Sequence, residues 1–166
     1  GGKGGDASAG ELGPGPVRLH LAGDATASRA LYLCLTHHLK RISAQAAGGP
    51  MVPLAGASVK PAGFADSEYI LPYAAASFSG FRHLQEYFAY PAKFMFVDVA
   101  GLGGLSALGA ATSFELHFEL ARLPEKMPPV GTANVLLHCA PAVNLFPHDA
   151  DPVRLDHTRT EYKIRP

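Results

Sequence analysis

Apolar and polar residues along this chain follow two periods, and the change from one to the other marks out its elements. Val17–Leu21, Val-Arg-Leu-His-Leu, alternates as a half-buried strand does, and Gly23 ends it. Asp24 is a suitable N-cap for a helix over residues 25–45, with Ala27, Leu31, Leu35, Leu39 and Ile42 on one stripe and Arg29, Lys40 and Arg41 off it. Gly48, Gly49 and Pro50 break that pattern. Residues 51–55 and 58–60 read as two short strands of a hairpin. Gly63 to Tyr69 reads as a turn, and residues 67–72 as a single helical turn ended by Pro72.

Residues 78–102 are the densest stretch, holding seven of the fifteen Phe and Tyr residues. Phe81, Leu84, Tyr87 and Phe88 recur at helical spacing on one face, with Ser79 placed to cap the start. Pro91 disfavours helical backbone at Tyr90, so the helix should end near Ala89. Residues 94–99, Phe-Met-Phe-Val-Asp-Val, then form a strand apolar on both faces up to Asp98, closed by Gly101, Gly103 and Gly104. Helix and strand should fold against each other as the core, since burying one large aromatic side chain contributes about 2–3 kcal/mol.

Residues 112–120 show the cleanest alternation: Phe114, Leu116, Phe118 and Leu120 on one face, Glu115, His117 and Glu119 on the other, wet face. A second strand over residues 133–139 is expected to pair antiparallel with it. Short alternating runs between prolines predict further strands in the last third. Two main helices packed on about six mostly antiparallel strands, with a strand-rich C-terminal half, make an α+β fold. No internal repeat is visible.

A chain of 166 residues fits one domain and can bury about 70% of its unfolded surface. Residues 1–16 are rich in Gly and Pro and read as a flexible linker, leaving 17–166 as a single segment. The chain starts at Gly1 without a charged-then-apolar leader, which suggests an excised piece of a longer protein with no secretory signal. No apolar run is long enough to span a membrane. The formal net charge is zero and Lys and Arg are scattered, which argues against nucleic acid as a partner. Charged residues at 17% and apolar residues at 48% leave room for uncharged surface that another protein could cover. Cys34 and Cys139 read as two buried thiols of a reducing compartment.

Candidate chemistry is sparse. Gly101-Leu-Gly103-Gly-Leu-Ser106 resembles part of a dinucleotide fingerprint, but Ser106 replaces the third glycine and no helix is expected to open there, so no cofactor is implied. Ser77 and Ser79 do not form a nucleophile elbow. His37 and His38 point about 100° apart on a helix and make a poor metal pair. Arg82 and Glu86 stand four apart and suit an ion pair. His148, Asp149, Asp151, Asp156 and His157 are acceptable metal ligands at no regular spacing, and they define the alternative function, a small cytosolic metal-dependent hydrolase.

The wording Phe78-x-Gly-Phe-Arg-x-Leu-Gln-Glu-Tyr-Phe-Ala-Tyr-Pro91-x-Lys-Phe-x-Phe96 closely resembles the signature of the TssF family, also called ImpG or VasA, of the bacterial type VI secretion system. Further phrases resemble the family in the same order. They are Leu19-His-Leu-Ala-Gly-Asp24 before Ala30-Leu-Tyr32, Gly63-Phe64 before Leu71-Pro72, Cys139-Ala-Pro141-Ala-Val-Asn-Leu-Phe-Pro147, and Asp151-Pro-Val-Arg-Leu-Asp156. Phe81, Ala92 and Ala140 depart from the family's usual Tyr, Glu and Thr. The resemblance covers residues 17–166 and leaves the Gly-rich start outside. It implies an internal segment of a longer structural protein with no catalytic residue, a cytoplasmic baseplate subunit docked at the inner-membrane complex. The implied partners are TssG, TssK, TssE and further TssF copies, around the spike on which the contractile sheath starts. Aromatic and Arg anchors carry most interface energy, so the interface or motif candidates are Phe78, Phe81, Arg82, Glu86, Tyr87, Tyr90, Pro91, Lys93, Phe94, Asn144 and Phe146, with the aromatic ones expected in the core first.

Overall fold

The computed structural model describes residues 15–73, 78–146, 149–158 and 160–163. Most of the expected linker, His148, Pro147 and Ile164 lie outside the described residues. Two antiparallel sheets share one core, an α+β arrangement as expected.

The first sheet has the order β4-β5-β1-β7, with β1 at Val17–Leu21, β4 at Ser58–Pro61, β5 at Phe96–Ala100 and β7 at Val135–Leu136. Alternation in β1 sets its two faces. Leu19 sits opposite Val97 and points into the core with Leu21, while Arg18 sits opposite Asp98 and His20 opposite Phe96. Arg18 holds Asp98 through two 2.7 Å hydrogen bonds, and the His20 ring stacks on Phe96 with centroids 4.5 Å apart. Register and face are thus fixed by the same cross-strand pairs.

The second sheet has the order β3-β2-β6, with β2 at Leu39–Ala46, β3 at Met51–Pro53 and β6 at Phe114–Leu120. Helix α1 (Ala25–His37) touches strands of both sheets. Its cap is as expected: Asp24 accepts hydrogen bonds from Thr26 N at 2.8 Å and Ala27 N at 3.0 Å. The helix does not reach residue 45. It stops at His37, and Leu39–Ala46 becomes the central strand of the second sheet. The positions Leu35, Leu39 and Ile42 continue a helical stripe, yet Ile42 and Ala44 also alternate, and pairing on both edges of β2 outweighs local helix preference. Lys40 and Arg41 meet Glu119 of β6 across that pairing, which keeps the outer face of β6 wet.

Other expected pairings change. Residues 51–53 and 58–61 are strands but not a hairpin: β3 pairs with β2 and β4 with β5, in different sheets. Buried Leu54, whose N–H donates to Ile42 O at 3.0 Å, makes the crossing. The segment after β6 pairs with β1 and not with β6, because Asn134 ties it to the β1 end through Ala22 N→Asn134 O at 2.9 Å and Asn134 Nδ2→Ala22 O at 3.0 Å. Beyond Leu136 no strand occurs among the described residues, so the strands are not concentrated in the C-terminal half: β1 to β4 all precede residue 62. Prolines 141 and 152 leave that segment short of ladder donors.

The glycine run after β5 builds core. It forms a 3-10 helix, Leu102–Leu108, that sends Leu102 and Leu105 inward. Gly101 opens it at φ 76°, and a Cβ there would lie 2.3 Å from Gly56 O. Replacing Gly101 with Ala should therefore cost about 2 kcal/mol or more, while Gly103→Ala, with open space at its Cβ, should change little; urea unfolding of the two variants compares them directly.

Candidate interaction surface

Helix α2 (Ser79–Ala89) is amphipathic in the sense opposite to the one its sequence suggests. Its fully buried residue is Glu86, whereas Phe81, Leu84, Tyr87 and Phe88 are exposed, Phe88 by 80% and Phe81 by 61%. The aromatic face expected to build the core points outward. The reason lies in the five residues after the helix, Tyr90 to Phe94. Tyr90 N bonds to Glu86 O, and Pro91–Phe94 then forms a 3-10 turn that brings Lys93 back beneath the helix. Lys93 is also fully buried and pairs with Glu86.

The other Glu86 oxygen accepts the main-chain N–H groups of Ile70 at 2.8 Å and Leu71 at 2.9 Å. Burial alone would push this carboxyl up, but the bonds from Lys93 and from the Leu71 and Ile70 amides outweigh it and hold its pKa below the ordinary carboxylate value. Glu68 works on the same loop from the other end. Its carboxylate takes Gly63 N at 2.8 Å and Ala65 N at 3.1 Å, and its second oxygen takes Arg18 at 2.7 Å. Here too burial pushes up, and the Ala65 and Gly63 amides with Arg18 pull the value down further. Gly63 fits under this clamp at φ +93°, where a Cβ would stand 3.0 Å from Lys93 O. The helical turn expected over residues 67–72 is instead a 3-10 turn at Asp66–Glu68; the backbone is already extended at Tyr69, so Pro72 does not end it.

Arg82 does not pair with Glu86. Glu86 is committed inward, and the Arg82 guanidinium carbon lies over Tyr69, 3.8 Å from the ring centroid, with the Tyr73 centroid at 5.9 Å. His83 lies 3.0 Å from Tyr69 Oη through Nδ1 and 3.0 Å from Phe64 O through Nε2, which the tautomer protonated on Nε2 satisfies together. Ser79 does not cap α2 either. Phe78 occupies the N-cap position without a side-chain bond, and the first turn closes by Phe81 N→Phe78 O at 3.1 Å.

Ring contacts tie the outward aromatics into two groups. Phe78 and Phe81 meet edge to face with centroids 5.8 Å apart, Tyr87 and Phe88 at 5.7 Å, and Tyr87 leads on to Phe94 at 5.9 Å and half-exposed Phe64. A cavity of about 270 Å³ opens beside the second group, between Tyr87, Pro91 and Met95 on one wall and Gly23, Ala25 and Arg29 on the other. The site candidates therefore divide: Phe78, Phe81, Tyr87 and Pro91 are surface, Glu86, Lys93 and Phe94 are buried support, and Arg82 and Tyr90 stand between. Asn144 and Phe146 are exposed on the extended segment beyond Pro141, which itself lines a cavity with Lys93 and Gly63. Sequence reasoning missed Tyr69, His83 and the Ile70 and Leu71 amides. The signal for them is Glu86 and Lys93 themselves, two charges set in an otherwise aromatic stretch.

Other chemistry gains no support. His148 lies outside the described residues, Asp156 is taken up by Thr158 and Tyr162, and among the described residues no three His, Cys, Asp or Glu side chains group as a metal site. Cys34 is buried, whereas Cys139 is only partly so, and both are free thiols. No described helix is long and apolar enough to cross a membrane.

Two tests follow from the buried pair. Lys93→Met should destabilise the chain by about 3–5 kcal/mol, because it strands a buried carboxylate, and the double change with Glu86→Leu should recover most of that loss in a urea titration. With acid, the folded values of Glu86 and Glu68 lie below the ordinary 4.5, so their contribution is complete above that pH and is lost as pH falls through the folded values. Urea midpoints should hold near neutral pH and drop below about pH 4, with a shallower drop in Glu86→Gln.

The family model "Type VI secretion system, TssF" matches residues 3–166, so the Gly-rich start falls inside the matched span and not outside it. The Pseudomonas aeruginosa protein "Type VI secretion system component TssF1" is 33% identical over 108 residues, which are 64% of this chain and 17% of that protein. A chain in a cryo-electron microscopy structure of the type VI secretion system TssK-TssF-TssG baseplate subcomplex superposes with a TM-score of 0.73 at 30% identity, over 94% of this chain and 30% of that one. The chain thus spans less than a third of the length of either relative.

Proposed function

The chain belongs to the type VI secretion TssF family, and from that premise we propose that it is part of a baseplate subunit whose work is to bind neighbouring subunits. Its role is architectural and not catalytic, and it is carried out in the cytoplasm. Residues 17–166 act as one α+β segment, with the Gly-rich start as a linker. The partners are TssG and TssK, named with TssF in the matched assembly, with TssE and further TssF copies as additional neighbours. The hydrolase alternative has no observation in its favour.

One observation carries this reading: four large apolar side chains of α2 stand in solvent on a helix locked in place by a buried ion pair. Large apolar side chains grouped on one exposed helix face are characteristic of interaction sites. Phe78, Phe81, Tyr87 and Phe88 supply the anchors, and Glu86 and Lys93 fix the helix that presents them, so its backbone needs no ordering on binding. Asn144 and Phe146 extend the surface along the C-terminal segment.

The test is co-purification of the chain with TssG and TssK from the same bacterium. Phe81→Ala with Phe88→Ala should reduce recovery at least about tenfold while changing stability by less than about 1 kcal/mol, because both rings are already exposed. Unchanged recovery would count against the α2 face as the contact.

A further inference from the structure

Four strands stand at the edges of the two sheets, and three of them are blunted. β3 ends in Pro53, β4 carries Lys60 and ends in Pro61, and β7 is two residues long, all features that discourage further pairing. β6 is the exception. It runs seven residues, Phe114–Leu120, without a proline, and among the described residues only β2 pairs with it. No main-chain hydrogen bond from a described residue reaches its other side. Alternate N–H and C=O groups of β6 therefore point away from the sheet as a template for one more strand.

Both faces of β6 carry the mark of an unfinished edge. Phe114, Leu116 and Phe118 pack against the core, yet each is only half-buried. On the outer face Glu119 is neutralised by Lys40 and Arg41, whereas Glu115 sits opposite uncharged Gln45 and meets no Lys or Arg among the described residues. Its side chain is 80% exposed, and His117 Nε2, 3.5 Å from its carboxylate, is enclosed without a hydrogen-bond partner. A cavity of about 370 Å³ opens beside Glu115, between residues 45–48 and Ser113, with room for a long basic side chain.

These features select the occupant. A strand added here continues the core face with apolar residues and sets every second side chain beside Glu115 and His117 on the outer face. Pairing all seven residues with β6 of a second copy, centred on His117, would place Glu115 opposite Glu119 twice, like charges directly opposed, so the complementary strand is basic. Resting on the proposed function, we infer that the outer edge of β6 takes a strand from a neighbouring baseplate subunit, one in which apolar residues alternate with Lys or Arg and a basic side chain binds the Glu115 carboxylate. Main-chain bonds supply affinity, and the charge beside Glu115 sets register and partner.

The experiment follows amide hydrogen exchange along β6, and affinity as salt is raised from about 0.05 to about 0.5 M, for this chain with purified TssG or TssK. One of the two should slow exchange of the outward β6 amides at least about tenfold. Glu115→Lys should bind that subunit at least about tenfold more weakly, with Glu115→Gln between and less salt-dependent than the parent. Glu115 is exposed, so neither change should move the urea midpoint. Binding that leaves β6 exchange unchanged, or that Glu115→Lys leaves within about twofold of the parent, overturns the strand contact while the proposed function stands. Binding to neither subunit overturns both. Protection of the outward amides in the chain alone that grows with its concentration assigns the edge to a second copy and overturns the proposal.

Discussion

A carboxylate and an ammonium with no exposure to water, Glu86 and Lys93, form the constraint on which the exposed half of the molecule depends. Ion pairs in such positions are expensive to desolvate and often contribute little net stability. Their effect here is orientational. Glu86 faces Lys93 with one oxygen and the Ile70 and Leu71 amides with the other, so α2 can turn only one side to the body of the protein. That side is polar. The aromatic residues, at positions three and four apart, are left on the other side by helical geometry alone.

The clamp extends in both directions. Glu68 fastens the start of the same loop and hands its second oxygen to Arg18 on β1, while the 3-10 turn that delivers Lys93 runs straight into β5, the neighbour of β1. Helix α2 is thus fixed to the centre of the first sheet by polar contacts, whereas the apolar core lies between the sheets and does not need the α2 aromatics at all. A rigid, apolar, outward-facing helix on a self-sufficient core has the properties of an assembly part. In the proposed function, such a face is what a neighbouring subunit covers.

Much of this fold was legible in the sequence where one period dominated. Strands β1 and β6, the Asp24 cap and the end of α2 before Pro91 all appear where alternation, capping chemistry and proline sterics place them. Errors fell where the pattern fits two structures. Leu39 and Ile42 suit a helix as well as a strand, and only the two partners of β2 decide between them. The aromatic stripe of α2 was legible as a stripe, but its two faces were assigned the wrong way round. An apolar stripe normally marks the buried face, and two charges seven residues apart in sequence do not reveal that a turn will bring them together. The motif named Glu86 and Lys93 without disclosing that they are the interior.

The most direct test of the account uses the absence of Trp from the chain. Phe88→Trp places one reporter on the outward face of α2, and its quenching by acrylamide is measured at a concentration where the chain is monomeric. The account predicts emission and quenching of a water-exposed indole in the folded chain. Blue-shifted emission shielded from acrylamide would mean that the aromatic face is buried, and would contradict the inverted helix on which the rest stands.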